Sequence, residues 1–235
     1  MKIDAAISPL EIDLLPERDL STTTAVVFDV LRATSMMVTA LANGATEIHP
    51  VASVPEALEL KTRLPRALLA GERRGVRFDG FDLGNSPLDY RKPDSEAIIS
   101  LTSNCAAALR ACENAGRVLV GSLLNMGALV GHLKEDEPGN LLLVCAGTAR
   151  EPAVEDLFAA GMVCSNFKQA VMSDAAKIAA SVFRRYQEDP MHCLHESRRG
   201  RTLMEDNQRE DLRWCAHRSL YAVVVEMRDG VVFKI

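Results

Sequence analysis

The chain has 235 residues, 48% hydrophobic and 25% charged, with a formal net charge of -5. That length suits one large domain, or two small ones sharing an interface, around a sizeable core. The acidic balance argues against general nucleic-acid affinity, no apolar run is long enough for a membrane helix, and the amino-terminal segment lacks a secretory pattern.

Taken in chain order, residues 25–28 form an apolar run ending at Asp29, the pattern of a buried strand. Met36, Met37, Ala40 and Leu41 share one face of a following helix, and Asn43-Gly44 supplies its stop. Residues 48–51 read as a second strand, and Ser53 and Glu56 as a capping box opening another helix. Residues 67–70 predict a third strand ending at Gly71-Glu72. The order then recurs. Residues 97–101 form a strand ending at Thr102. Cys105, Ala108, Leu109 and Cys112 line a helix closed by Gly116, and residues 117–120 form a strand ending at Gly121-Ser122. A helix over 123–133 and a strand over 141–144, ending at Cys145-Ala146-Gly147-Thr148, complete the set.

Between them, residues 72–95 fit neither helix nor strand, yet Phe78, Phe81, Leu83 and Tyr90 are unusual for a disordered linker. An ordered functional loop is expected there. Beyond Thr148, a helix begins at Val154, and residues 174–186 form an amphipathic helix with Ile178, Val182, Phe183 and Tyr186 inward. Residues 187–213 are charged and irregular and carry no assignment. Asp229-Gly230 between apolar runs predicts a carboxy-terminal antiparallel hairpin.

Alternating strands and helices imply an α/β class: a single domain layered α/β/α on a largely parallel or mixed sheet. Matching elements recur about 70 residues apart, which fits two similar βαβαβ halves as subdomains 1–95 and 96–235. Any alternating chain looks self-similar at this level, so duplication and coincidence both stay open. Ligands of such sheets bind beyond the carboxyl ends of the strands. Here those ends carry Asp29, Ser53, Glu72, Thr102, Ser122 and Thr148, all polar.

Familiar phosphate templates fail. Leu31 stands where a haloacid-dehalogenase-like enzyme has its second Asp, and Cys145 to Arg150 is one residue short of a tyrosine-phosphatase loop. There is no P-loop and no GxGxxG. What remains are polar clusters with two explanations each. Asp29, Arg32, Thr34 and Ser35 suit an anion at a helix start, or form an ordinary solvent-facing turn. Glu72, Asp79 and Asp82, beside Asn85 and Ser86, suit Mg²⁺ or simply favour turns. Thr102-Ser103-Asn104 can cradle an anion or cap a helix, and Gly147-Thr148 with Glu155-Asp156 is equally two-sided. His192 and His195 lack a zinc partner set and read as exposed. Six scattered cysteines without a CxxC pair read as reduced, buried thiols of a cytoplasmic protein.

In this order the segments resemble the 2-phosphosulfolactate phosphatase family, associated with coenzyme M biosynthesis and sulfonate metabolism. The residues carrying the resemblance are Val27 to Ser35, Gly71-Glu72-Arg73, Gly80 to Pro87, Val120 to Asn125, Cys145 to Thr148 and Glu155-Asp156-Leu157. A weaker tail is Ser197, Gly200-Arg201, Leu203, Asp211 and Cys215. The resemblance implies a Mg²⁺-dependent hydrolase releasing phosphate from 2-phosphosulfolactate. On that footing Asp29, Arg32, Glu72 and Asp82 are the catalytic candidates, and Asp29, Glu72, Asp82 and Asp156 the metal candidates. Arg32, Asn85, Ser86, Thr102, Ser103, Asn104, Ser122 and Thr148 would bind a small anionic phosphate ester bearing sulfonate and carboxylate. A homodimer is expected without a specific motif.

One stretch departs from the family pattern. Thr-Thr-Asn-Gly-Thr reads Thr102-Ser103-Asn104-Cys105-Ala106, adding a side chain where an anion would approach and deleting a hydroxyl. That change bears on substrate choice. A phosphatase for another small phosphorylated acid, or a non-catalytic binder of such anions, are the competing functions.

Overall fold

The strongest apolar runs become the inner strands of one sheet. The computed structural model describes residues 1–73, 75–92 and 97–235. Its strands are β1 (Lys2–Ala6), β2 (Thr23–Phe28), β3 (Glu47–Val51), β4 (Leu68–Arg73), β5 (Val76–Arg77), β6 (Ala97–Leu101), β7 (Arg117–Gly121), β8 (Asn140–Cys145), β9 (Val171–Met172), β10 (Val225–Arg228) and β11 (Val231–Lys234). The helices are α1 (Pro9–Ile12), α2 (Ala33–Ala42), α3 (Val54–Arg63), α4 (Ser103–Ala111), α5 (Met126–Asp136), α6 (Val154–Ser165), α7 (Asp174–Tyr186), α8 (Pro190–Glu196), α9 (Arg198–Glu205) and α10 (Arg209–Cys215).

The sheet runs β5-β4-β6-β3-β11-β10-β7-β2-β8-β1-β9. Two parallel blocks, β4-β6-β3 and β7-β2-β8-β1, are recognisable. Between them sits the carboxy-terminal hairpin, antiparallel within itself, to β7 and to β3. Asp229 and Gly230 turn it with φ of 51° and 75°, the two positive values that a tight hairpin needs. The α/β class, the mixed sheet and the hairpin expected from sequence are all present. The hairpin's central position is new.

Segments 1–95 and 96–235 interleave. β6 lies between β4 and β3, while β2 lies between β7 and β8 and β1 beyond β8, so each segment lends strands to the other's block. The dividing point drawn at residue 95 lies outside the described residues.

Alternation along each strand sends side chains to different cores. Ala25 and Val27 of β2, Ile48 of β3, Ala70 of β4 and Ile98 of β6 share one core with α2 and α4. The sheet thus coils around these two helices, and every residue of α2 from Ala33 to Leu41 is buried. On the outer faces, Val26 and Phe28 pack with Leu129 of α5 and Phe158 of α6, while Ile99 and Leu69 pack with Ala57 of α3.

Three departures from the sequence expectation have local causes. The stretch expected to be neither helix nor strand begins as the end of β4, pairs Glu72 with Arg77 of β5, and later makes a 3-10 turn at Pro87–Tyr90. It is tied down because Asp82 and Leu83 donate their amides to Leu69 and the Tyr90 hydroxyl donates to the Gly84 carbonyl at 2.6 Å. Its last residues, 93–95, lie outside the described residues. Residues 187–213 supply α8, α9 and α10, which are too short to show a clear apolar period. β1 and the two-residue edge strand β9 extend the sheet beyond β8.

Helices α6 and α7 are in close contact at Gly161, where an added Cβ would lie 2.0 Å from the Ala179 carbonyl oxygen. Gly161→Ala is therefore expected to destabilise the protein by about 2 kcal/mol, overpacking outweighing the helix propensity of Ala. Urea unfolding measures this, and an unchanged midpoint contradicts the packing described.

Candidate active site

Asp29 follows β2 directly and is 9% exposed. Its carboxylate accepts the Ala33 amide of α2 at 3.4 Å and the amide of Cys105 in α4. Two helix amino ends thus converge on one acid, and their unpaired amides favour negative charge. Burial outweighs them and pushes the carboxyl up to about 6, with the Ala33 amide, Arg199 and Arg32 pulling the other way.

Two more buried acids stand beside it at the start of α6. Asp156 takes the Val30 amide at 2.8 Å and the Gly147 amide at 3.0 Å, so it fastens the end of β2 to the loop after β8. Burial, then Glu155, then Asp29 raise its pKa well above the ordinary value. Burial also raises Glu155, to about 7, helped by Asp29 and opposed by Ser197 and Arg199. The Glu155 Oε2 atom has no hydrogen-bond partner.

Opposite the acids is an arginine network. Arg32, its side chain 1% exposed, pairs with Glu72 and Asp211 and donates to the Gln208 side-chain oxygen at 2.7 Å. Arg199 of α9 reaches the other oxygen of Glu72 at 2.7 Å. The Asn85 amide donates to Glu72 at 3.4 Å, and the Ser86 hydroxyl to Asp211 at 2.7 Å. These two carboxylates cancel the charge of the two arginines while holding both guanidinium groups in place.

A cavity of about 550 Å³ is lined by Asp29, alone of the three buried acids, and by both arginines. Asp29 and Arg32 line it from the β2–α2 turn, Glu72 and Arg73 from β4, Asn85 from the long loop, and Thr102, Ser103 and Asn104 from the start of α4. Thr148 and Arg199 close it.

Other candidates from the sequence lie elsewhere. Asp82 is exposed and accepts the Leu69 amide at 2.8 Å, fixing the loop to β4. Ser122 is fully buried and caps the turn after β7, accepting the Leu124 amide at 3.1 Å. Ser86 stands behind Asp211, and Asp156 behind Asp29, neither lining the cavity. The Cys105 and Ala106 side chains are fully buried and also off the cavity wall, Cys105 packing into the core around α2. The departure from the family pattern therefore enlarges the core contact and leaves the Cys105 amide free to bond Asp29.

Arg199 and Gln208 were not among the site candidates, Glu155 appeared only in a two-sided polar cluster and in the family resemblance, and Asp211 only in the weak tail. The legible signal for Arg199 was the run Arg198, Arg199 and Arg201 amid acids in a segment without clear periodicity.

The four acids proposed for a metal do not gather as a group. Glu72 is taken by two arginines and Asp82 by a backbone amide, and among the described residues no cluster of three or more His, Cys, Asp or Glu is placed to hold a metal. Magnesium needs less, because it commonly takes one or two carboxylates, keeps waters and shares substrate phosphate oxygens. Asp29 on the cavity wall fits that requirement, whereas Asp156 lies off the wall with both oxygens accepting backbone amides. The mutual repulsion among Asp29, Glu155 and Asp156 is relieved by a cation.

Buried acids facing an arginine-bearing cavity beyond the strands of an α/β sheet define an enzyme site for a small anion. A family model described as 2-phosphosulpholactate phosphatase matches residues 10–230. A probable 2-phosphosulfolactate phosphatase of Clostridium perfringens is 36% identical over 241 residues, covering 99% of this chain and 96% of its own. Relatives of the same name from Thermotoga petrophila and Caldanaerobacter subterraneus are 35% and 34% identical, covering 94% and 92% of this chain and 96% and 92% of their own. The chain belongs to the 2-phosphosulfolactate phosphatase family, a family of phosphoric monoester hydrolases. No helix among the described residues is long and apolar enough to cross a membrane.

Raised carboxyl values link the site to stability. For Glu155, the stabilising contribution is full below the unfolded value of 4.5 and is lost as pH rises through about 7. Glu155→Gln removes that loss, so its stability relative to the wild type is expected to climb between about pH 4.5 and 7.5, by on the order of 2 kcal/mol. Urea unfolding across this range in EDTA tests it, a pH-independent difference being the contrary result.

Proposed function

We propose that the protein hydrolyses the phosphate monoester of 2-phosphosulfolactate to sulfolactate and inorganic phosphate, with Mg²⁺ as cofactor. The observation that carries this reading is Asp29, set between two helix amino ends and facing Arg32 and Arg199 across the cavity. Family membership supports the substrate class, and the place of Asp29 on the cavity wall supports the metal. Without a cation, an ionised Asp29 on the cavity wall would repel an anionic ester.

Bound at Asp29, magnesium would neutralise phosphoryl charge and polarise the ester. Arg32 and Arg199 bind phosphoryl and acid oxygens without reorienting, since Glu72 and Asp211 already fix them. Amides at the start of α4 and the Thr148 side chain line the positions open to the remaining arms. The Asp29 carboxylate orients a water for attack on phosphorus and takes its proton. As the new P–O bond forms, the ester P–O bond breaks; the departing oxygen of sulfolactate takes a proton from solvent water, and Asp29 returns the one it took to solvent. Asp82, Ser86 and Ser122 position the loops that carry these groups. A cytoplasmic setting belongs to the same reading, supported by six free, buried cysteines.

Asp29→Asn is expected to lower kcat by at least about 100-fold, the usual scale for losing a proton acceptor. Arg199→Ala should raise KM about tenfold through loss of a charge-assisted contact. EDTA should abolish phosphate release and Mg²⁺ restore it, in assays of 2-phosphosulfolactate and a panel of phosphorylated acids. Release that persists in EDTA contradicts the metal's role, and no release from any ester by folded protein favours a binding protein. Hydrolysis in ¹⁸O-labelled water with mass spectrometry of the chain tests direct attack, because label in Asp29 would mean an aspartyl-phosphate instead.

A further inference from the structure

The reaction cavity crosses the end of β4, and its two sides differ. Side chains alternate along that strand, so Ala70 packs in the inner core while Leu69 packs in the outer cluster with Ile99. Glu72 follows Ala70 in this alternation and reaches inward to Arg32 and Arg199. Arg73 follows Leu69 and leaves on the outer side, where its guanidinium lies over the Phe78 ring, 5.5 Å from the centroid. Both residues line the same cavity.

Charge is balanced on the inner side and open on the outer one. Arg32 and Arg199 are each answered by carboxylates, whereas Arg73, an exposed residue, makes no ion pair among the described residues. Register brings two hydroxyls beside it. Gly71 of β4 pairs in parallel with Leu101 of β6, so Thr102 and Ser103 leave the sheet alongside Glu72 and Arg73. Thr102 is 7% exposed and lines the cavity, yet its hydroxyl makes no hydrogen bond among the described residues, and neither does that of Ser103. Val54, Phe78 and Leu101 add apolar wall. An unanswered guanidinium, free hydroxyl donors and apolar wall together suit an acid group carried on a short hydrocarbon spacer.

2-Phosphosulfolactate has two acid arms. Its carboxylate is bonded directly to the phosphorylated carbon, while its sulfonate stands one methylene further out. With phosphorus at Asp29, the longer arm is the one able to cross the end of β4. We propose that Arg73, assisted by the Thr102 and Ser103 hydroxyls, binds the sulfonate and makes the enzyme selective for phosphate esters that carry this second acid group. The inference rests on the proposed hydrolysis, because the phosphoryl position at Asp29 fixes which arm crosses. Arg73 meets the substrate away from phosphorus, so it sets specificity and takes no part in bond breaking. Stacking on Phe78 holds its guanidinium at the cavity before substrate arrives, which lowers the ordering cost of binding.

The test compares 2-phosphosulfolactate with 2-phospholactate, which has a hydrogen in place of the sulfonate, both with Mg²⁺ present. Arg73→Gln is expected to lower kcat/KM for 2-phosphosulfolactate about 30-fold, the scale of one charge-assisted contact, and to change it less than about twofold for 2-phospholactate. The loss should fall chiefly on KM, because the contact exists both before and during the reaction. Arg73→Lys should recover part of it by restoring the charge without the planar fork. An equal fall for both esters overturns the assignment, by placing Arg73 at the phosphoryl group or in the fold, and so does an unchanged kcat/KM for 2-phosphosulfolactate. If the wild type hydrolyses neither ester, titration calorimetry with the same two compounds separates the questions. Tighter binding of 2-phosphosulfolactate that Arg73→Gln abolishes would uphold the subsite and reject the proposed function. Equal binding of the two compounds by the wild type, or none, would reject the subsite as well.

Discussion

Glu72 accepts hydrogen bonds from two arginines that arrive from distant parts of the chain, Arg32 after β2 and Arg199 in α9. A buried guanidinium is tolerable only when its charge is answered, and breaking such a pair typically costs about 3–5 kcal/mol because the remaining charge is stranded. Asp211 answers Arg32 a second time, and the Ser86 hydroxyl in turn satisfies Asp211. Four segments far apart in sequence are thereby fixed to one another: the β2–α2 turn, the end of β4, the loop at 85–86 and the short helices α9 and α10. The cavity wall exists because this network exists. Without the carboxyl-terminal helices, Arg32 and Glu72 would form an isolated pair, and the reaction cavity would lose its closing side at Arg199.

Much of the sheet was legible because inner strands of parallel blocks are nearly continuous apolar runs. Residues 25–28, 97–101 and 141–144 announced β2, β6 and β8 in this way, and polar residues after them marked the site edge. Asp29, Arg32 and Thr102 could be found because each follows a strand within four residues, and Glu72 because it stands near the end of one. Arg199 could not. It sits on an eight-residue helix whose apolar contacts are too few to set a period, and its role depends on a partner 127 positions away. Ser122 and Asp82 show the converse. Both have the residue type and position of ligands, but a buried cap and a loop anchor use the same oxygen chemistry, and local sequence does not separate these uses.

The departure at Cys105 teaches a related lesson. On a helix, the amide and the side chain of one residue point to different places. Cys105 serves Asp29 with its backbone while its thiol fills the core around α2. A substitution beside a site changes the site only when its side chain faces it, and here the altered volume was absorbed on the other side. The three buried acids follow the same logic at the level of elements. Asp156 spends both oxygens on the amides of Val30 and Gly147, tying two strand ends together, and so sets the spacing at which Asp29 stands.

The carboxy-terminal hairpin has a bearing on the order of events during translation. Ribosomal synthesis proceeds from the amino end, so both parallel blocks are made before the two strands that join them. Until β10 and β11 emerge, the inner edges of β3 and β7 carry unpaired backbone groups, the kind of template on which chains associate with one another. Those edges are sealed by the last pairings in the sheet to become available, Val232 with Ile48 and Val225 with Val120. A nascent chain stalled short of this hairpin would hold two half-sheets with open edges, exposed to self-association until the final strands arrive.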